Sequence, residues 1–177
     1  MRSSRTLAIG TSVRIVACPA VMALLLGHDH AWAAVAFLIA ALTDWLDGRL
    51  ARRWGAVTKL GSFLDTTADK LLVSSALLGL VAIDRASAWV ALAIIAREFT
   101  ILGLRAAVAA GGSMLETSLL GKWKATAQFV AITLAMLRPA VSFAGAHLDQ
   151  WALAIAAVVT VWSGIDYLIR ATDALRS

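Results

Sequence analysis

Long apolar stretches separated by short polar breaks run through the whole sequence. Each break contains glycine, proline or charged residues of the kind that end helices, as in Gly27 to His30 and Arg138-Pro139. A helix needs about 20 apolar residues to cross a bilayer, and each stretch is long enough to do so. The pattern therefore predicts an all-α integral membrane protein with six transmembrane helices, at residues 6–26, 31–54, 60–84, 86–110, 121–141 and 148–172.

The composition excludes a soluble globular protein. Of the 177 residues, 60% are hydrophobic and 15% are charged, whereas soluble domains are about 45 to 50% apolar. Six helices with short connections use nearly the whole length, so we expect a single membrane domain over residues 1–177. We expect no nucleic-acid partner.

Lysine and arginine residues are distributed very unevenly between the two ends of the predicted helices. One side carries Arg85 and Arg138. The other side carries Arg2, Arg5, Arg49, Arg52, Arg53, Lys59, Arg105, Lys122, Lys124, Arg170 and Arg176. Because positively charged loops stay in the cytoplasm, both termini are predicted to be cytoplasmic. Trp32, Trp89 and Trp151 then begin helices at the outer interface, where indole rings are favoured.

Four aspartates fall inside the second and third predicted helices, although ionised groups within a bilayer are costly. Asp44 and Asp47 are three residues apart and Asp65 and Asp69 are four apart, so each pair lies on one helix face. If the two helices form an antiparallel hairpin, Asp44 is level with Asp69 and Asp47 with Asp65. We therefore expect the four carboxylates to converge in the cytoplasmic half of the membrane and to bind protons or cations.

The aspartates form a candidate metal site. Oxygen ligands without histidine or cysteine favour Mg²⁺ or Mn²⁺ over zinc, and two such ions would neutralise four carboxylates. Gly48 and Gly61 flank the acidic positions and let a ligand approach the backbone, and Arg52 follows one turn after Gly48. This combination suits a pyrophosphate. The alternative is that the aspartates form ion pairs with Arg49, Arg52, Arg53 or Lys70.

Further cations lie in the cytoplasmic half of the predicted helices or midway along them. They are Arg14, Arg97, Arg105, Lys122 and Lys124. Together they form a candidate anion site that could receive a second phosphate, separate from the pyrophosphate. Two simpler explanations stay open: the arginines could neutralise an acidic residue such as Glu98, and the lysines could attract anionic lipid headgroups.

The spacing of the acidic residues resembles that of a known family. The pattern Asp44-x2-Asp47-Gly48-x2-Ala51-Arg52-x8-Gly61-x3-Asp65-x3-Asp69 matches the complete signature of the CDP-alcohol phosphatidyltransferase family. Six helices with both ends in the cytoplasm are also the layout of that family. The resemblance therefore covers nearly the whole chain.

The resemblance implies a metal-dependent transfer of the phosphatidyl group from CDP-diacylglycerol to an alcohol, with release of CMP. It also implies that Asp44, Asp47 and Asp65 are metal ligands, and that Asp69 is the catalytic base and a further contact to the metal. The sequence geometry alone does not choose the base among the four aspartates. By the same resemblance the CDP site is lined by Gly48, Ala51, Arg52 and Gly61.

Later motifs are similar to the branch of the family that uses sn-glycerol 3-phosphate and forms phosphatidylglycerophosphate. They are Ala96-Arg97-Glu98 followed by Arg105, Gly121-Lys122-Trp-Lys124-Ala-Thr126-Ala-Gln128, and Thr11-x2-Arg14. The chain departs from that branch at Ala8, where asparagine is frequent, and at Ala125, where threonine is common. The candidates for binding the acceptor phosphate are Arg14, Arg97, Arg105, Lys122 and Lys124.

The resemblance also implies a homodimer surrounded by membrane lipid, in a bacterial plasma membrane with the active site facing the cytoplasm. Two other functions stay open. An enzyme of the same family could use inositol phosphate, inositol or serine as its acceptor. A divalent-cation transporter would use the acidic cluster for ion passage, although the outer halves of the helices lack a matching polar path. Asp166 and Tyr167 in the sixth predicted helix are interpreted as structural.

Overall fold

The computed structural model of the chain is built almost entirely from α-helices. The structure describes residues 2–54, 59–110, 119–143 and 145–176, with side chains at 11–43, 61, 63–109, 124–143 and 145–169. The helices are α1 (Arg2–Leu26), α2 (His30–Trp54), α3 (Lys59–Ala82), α4 (Ala88–Ala110), α5 (Leu119–Leu137) and α6 (Leu148–Arg176). Two short antiparallel strands, β1 (Ser142–Phe143) and β2 (Ala146–His147), form a hairpin before α6.

Each described helix overlaps one of the predicted helices, so the all-helical prediction is confirmed. The α1 helix begins four residues before its predicted start and α6 ends four residues after its predicted end, whereas α5 is shorter than predicted and stops at Leu137 and not near residue 141. Arg138 has a left-handed backbone with a φ of 42°, and the following Pro139 cannot continue a helix because it lacks an N–H group. The hairpin that follows was not predicted from the sequence.

The helices carry apolar side chains on their outer faces. By length and composition, residues 148–169 of α6 could cross a membrane, and shorter apolar segments occupy 11–26, 30–43 and 124–137. Large apolar side chains such as Val16 are exposed, as expected of helix faces in contact with lipid. These features fit a membrane protein. The number of spans and the cytoplasmic location of the termini stay predictions.

The chain divides into two compact units, Met1–Asp84 and Arg85–Ser177. In the first unit α1 packs along both α2 and α3, whereas α2 and α3 contact each other much less. Its core includes Val21, Leu25, Phe37, Leu72, Leu77 and Leu80. At Gly79 the two helices are so close that an added Cβ would lie 2.7 Å from Cδ1 of Leu25. The glycine therefore permits the contact between α1 and α3.

In the second unit α6 packs against both α4 and α5. Its apolar core includes Ile94, Ile132, Ala135, Met136 and Leu153. Arg85 donates a hydrogen bond to the carbonyl oxygen of Met136 at 2.5 Å and so caps the last turn of α5. Trp151 Nε1 donates to the carbonyl oxygen of Phe143 at 3.0 Å, which ties the hairpin to α6. The prediction of a single domain over residues 1–177 stays a prediction.

Candidate active site

Asp65 lies on the face of α3 that meets α1. The Arg14 guanidinium donates hydrogen bonds to Asp65 Oδ1 at 2.5 Å and to the carbonyl oxygen of the same residue at 2.9 Å. Thr11 Oγ1 donates to the same Oδ1 at 3.4 Å. The Arg14 side chain is fully buried. An arginine without access to solvent is therefore held on one of the predicted metal ligands.

Asp69 follows Asp65 by one turn of α3, and its carboxylate is paired within its own helix. Lys70 Nζ donates to Asp69 Oδ2 at 2.6 Å. The second oxygens, Oδ2 of Asp65 and Oδ1 of Asp69, accept no side-chain hydrogen bond among the described residues. The two aspartate side chains are 23% and 19% exposed. Carboxylate oxygens are ligands that hard divalent cations prefer, and these two partly exposed aspartates on successive turns each keep one oxygen for such a role, so they fit a metal site.

The other half of the predicted metal and CDP site lies on α2. Its residues Asp44, Asp47, Gly48, Ala51 and Arg52 are in the helix, but their side chains lie outside the described residues. Gly61 lies in the first turn of α3 and is half-buried. The side chains that the structure describes include no group of three or more histidine, cysteine, aspartate or glutamate residues able to hold a metal ion. The convergence of four aspartates stays a prediction.

We expect Arg14→Met to destabilise the protein, because it leaves the Asp65 carboxylate without its buried partner. The expected loss is about 3 kcal/mol in the free energy of unfolding, the lower end for a broken buried ion pair, since Asp65 is partly exposed. Unfolding in mixed detergent micelles measures it. The double variant Arg14→Met/Asp65→Asn, which removes both charges, should recover part of the loss. Equal stability of Arg14→Met and wild type would contradict a stabilising pair.

Glu98 on α4 is a buried carboxylate shared by two cations. Its Oε1 accepts hydrogen bonds from Lys124 Nζ of α5 and, at 3.4 Å, from Arg97 Nη1. Glu98 is 3% exposed and Lys124 is 5% exposed. The ion pairing that the sequence left open for Arg97 therefore occurs, and it includes Lys124. The three side chains place two positive charges and one negative charge inside the second unit.

Arg97 also contacts α6. Its Nη2 donates a hydrogen bond to Ser163 Oγ at 2.9 Å, and its guanidinium carbon lies 5.9 Å from the centre of the Tyr167 ring, within range of a cation–π interaction. Its Nε is buried and has no hydrogen-bond partner among the described atoms. The Arg97 side chain is thus bounded by α4 on one side and by α6 on the other.

The remaining predicted phosphate ligands are placed differently. Arg105 lies near the C-terminal end of α4, where it is exposed, and it forms no ion pair with a described side chain. Lys122 lies in α5, but its side chain is outside the described residues. Arg14 belongs to the first unit, beside Asp65. Of the five predicted cations, the structure therefore brings Arg97 and Lys124 together, through Glu98.

The contribution of α6 to this cluster was missed from the sequence, in which Tyr167 was interpreted as structural. A signal for it exists. Thr160, Ser163 and Tyr167 are spaced by three and four residues in an otherwise apolar helix, and all three are buried. Polar residues at that spacing within a membrane helix face other helices and not lipid. The spacing does not say which residue of another helix they meet.

The sequence is similar to known proteins over most of its length. Residues 8–162 match the profile of the CDP-alcohol phosphatidyltransferase family. A Bacillus subtilis (strain 168) protein named CDP-diacylglycerol--glycerol-3-phosphate 3-phosphatidyltransferase is 43% identical over 152 residues, which cover 84% of this chain and 77% of that protein. A protein of the same name from Escherichia coli (strain K12) is 46% identical over 143 residues, covering 77% of this chain and 76% of the relative. One from Salmonella typhimurium is 46% identical over 149 residues, covering 78% and 79%.

The matched region spans the acidic motif from Asp44 to Asp69 and the cluster around Glu98. Both the family profile and the relatives describe enzymes that transfer a phosphatidyl group, a step of phospholipid biosynthesis. The all-helical structure with apolar outer faces fits that assignment. The chain therefore belongs to the CDP-alcohol phosphatidyltransferase family of membrane-embedded transferases.

Proposed function

We propose that the protein transfers the phosphatidyl group of CDP-diacylglycerol to the primary hydroxyl of sn-glycerol 3-phosphate, with CMP and phosphatidylglycerophosphate as products. The observation that carries the proposal is the meeting of Arg97 and Lys124 at the buried Glu98, where, among the described side chains, two cations share one carboxylate. Such cations suit an acceptor that itself carries a phosphate, whereas inositol and serine bring no phosphate. The names of the bacterial relatives support the same acceptor.

We assign the pyrophosphate of the CDP-lipid to the four aspartates of α2 and α3. Asp44, Asp47, Asp65 and Asp69 would hold Mg²⁺ or Mn²⁺, two ions by charge balance. When bound, such ions polarise a pyrophosphate and stabilise negative charge on a leaving phosphate. Support comes from the two described aspartates on α3, whose side chains are partly exposed. The CDP group would contact Gly48, Ala51, Arg52 and Gly61.

Asp69 is the proposed catalytic base. A base must accept a proton through an oxygen that is not already used, and Oδ1 of the partly exposed Asp69 accepts no side-chain hydrogen bond among the described residues. Asp65 is less suited, because both Arg14 and Thr11 donate hydrogen bonds to its Oδ1, whereas the described donor to Asp69 is Lys70 alone. The proton of the attacking hydroxyl would pass to Asp69 as the new phosphate ester bond forms and the bond to CMP breaks.

The acceptor phosphate is assigned to Arg97, Lys124 and the exposed Arg105. Arg14 and Lys122 stay predictions for the same role; the described hydrogen bonds of the Arg14 guanidinium are to Asp65. We further propose the topology with cytoplasmic termini, so that water-soluble glycerol 3-phosphate reaches the site from the cytoplasm. The lipid substrate would enter sideways from the bilayer. We also propose that the protein forms a homodimer.

Acceptor selectivity tests the proposal. Purified protein in detergent, supplied with CDP-diacylglycerol and Mg²⁺, should release CMP with glycerol 3-phosphate at least about tenfold faster than with inositol 1-phosphate, inositol or serine. A reaction without acceptor corrects for hydrolysis of the CDP-lipid. Release with a different acceptor alone would reassign the pocket within the family. Absence of release with every acceptor, together with Mg²⁺ flux in proteoliposomes, would instead support cation transport.

A further inference from the structure

We propose that Ser163, Gly164 and Tyr167 of α6, here called the α6 cradle, are positioning residues that hold Arg97 in the orientation in which it binds the acceptor phosphate. The inference rests on the proposed function, because Arg97 is a phosphate ligand only if the acceptor carries a phosphate. The inference gives α6 a role in positioning Arg97, whereas neither the sequence motifs nor the family signature assigns a role to that helix. Each cradle residue contacts Arg97 in a different way.

Gly164 supplies space. A Cβ added at this glycine would lie 2.9 Å from Cγ of Arg97 and 3.4 Å from its Nε. Real Cβ atoms hardly ever come within 3 Å of another heavy atom, so the Arg97 side chain could not keep its present path past a larger residue. Helices in membranes approach each other closely where small residues lie between them. Here the missing side chain lets an arginine stem, and not a second backbone, lie against α6.

Ser163 and Tyr167 fix the other end of the side chain. Ser163 Oγ accepts a hydrogen bond from Nη2 at 2.9 Å, and the Tyr167 ring lies 5.9 Å from the guanidinium carbon. Both residues are buried, at 1% and 4% exposure. A hydrogen bond from one direction and an aromatic ring from another restrict rotation of the planar guanidinium. With Glu98 on Nη1, the cradle therefore leaves the guanidinium little freedom.

This restriction matters because an open groove lies beside the arginine. The groove has a volume of about 210 Å³, and Arg97 is part of its wall together with Ile101, Val161 and Ile165. An unrestrained arginine could turn into that space. Holding it in place before the substrate arrives removes an entropic cost from binding, and a guanidinium binds phosphate well only in a defined orientation. The cradle should therefore affect affinity for the phosphate-bearing acceptor and leave the CDP-lipid unaffected.

Gly164→Ala tests the proposal, with Gly103→Ala of α4 as its matched control. An added Cβ at Gly103 meets no atom within 4 Å, so the control makes the same chemical change without the contact. We expect Gly164→Ala to raise the KM for glycerol 3-phosphate about tenfold or more, with the KM for CDP-diacylglycerol and kcat at saturating acceptor within twofold of wild type. Gly103→Ala should leave all three values unchanged.

Ser163→Ala is the second variant, because it removes the hydrogen bond to Arg97 without adding volume to the helix interface. We expect a smaller rise in the KM for glycerol 3-phosphate, about threefold to tenfold. As for Gly164→Ala, the KM for CDP-diacylglycerol and kcat should stay within twofold of wild type. Two results would overturn the role of the α6 cradle: an unchanged KM for glycerol 3-phosphate in both variants, or equal rises in the KM for glycerol 3-phosphate and the KM for CDP-diacylglycerol. In either case wild-type activity with glycerol 3-phosphate would still uphold the proposed function. Wild-type protein that reacts only with an acceptor lacking phosphate would overturn both.

Discussion

Asp69→Asn is expected to lower kcat by about 100- to 10,000-fold, the range contributed by a general base. Asparagine has nearly the same shape as aspartate but cannot accept the proton of the attacking hydroxyl. The change also removes the ion pair with Lys70, so stability is measured together with activity. CMP release at saturating substrates, together with the thermal midpoint in detergent, separates a chemical effect from a folding effect.

A matched acid-to-amide change supplies the control for Asp69→Asn. Asp84 is exposed in the turn after α3 and has a left-handed backbone with a φ of 56°, which asparagine tolerates well. Asp84→Asn should therefore retain wild-type activity and stability. Turnover of Asp69→Asn within threefold of wild type would remove Asp69 from the role of base and return the choice to the other three aspartates.

Glu98→Gln is expected to cause a large loss of stability. The carboxylate is buried and is shared by the buried Lys124 and the partly buried Arg97, so its neutralisation removes the negative charge that both cations contact. Breaking a buried ion pair from one side costs about 3 to 5 kcal/mol in the free energy of unfolding. Unfolding in mixed detergent micelles measures the difference from wild type.

The double variant Glu98→Gln/Lys124→Met distinguishes a buried ion pair from simple packing. Methionine replaces the lysine stem with an apolar side chain of similar length, so removing both charges should restore part of the stability lost in Glu98→Gln. An equal or greater loss of stability in the double variant would mean that packing of the Lys124 stem, and not its charge, stabilises the contact between α4 and α5. Stability of Glu98→Gln within 1 kcal/mol of wild type would contradict the buried pair itself.

The helices could be predicted from the sequence because apolar stretches of this length form helices in a membrane whatever they contact. The predicted second helix, 31–54, differs from the observed His30–Trp54 by one residue at its start. The end of α5 could not be predicted as well, since apolar residues continue past the point where Arg138 and Pro139 stop the helix. The β1–β2 hairpin leaves no periodic signal, because each strand has two residues.

The candidate site was predictable only as far as local spacing determines it. The interval of four between Asp65 and Asp69 predicts that both lie on one face of α3, and the structure adds that Asp65 contacts α1. The spacing does not reveal that Arg14, 51 residues away in sequence, reaches Asp65. The same is true of Arg97, whose hydrogen-bond partner Ser163 on α6 is 66 residues away. Such contacts depend on how helices pack, and a helix offers the same periodic face to any neighbour.

The central claim is that glycerol 3-phosphate receives the phosphatidyl group, and the most direct test follows that molecule into the product. Purified protein in detergent is incubated with CDP-diacylglycerol, Mg²⁺ and isotopically labelled glycerol 3-phosphate, and the lipid extract is examined by mass spectrometry. We predict labelled phosphatidylglycerophosphate in amounts equal to the CMP released, and at most about 1% of that amount in the same time with Asp69→Asn. Two results would contradict the account: release of CMP with no label in the lipid, or a lipid product that contains a different acceptor and no labelled glycerol 3-phosphate.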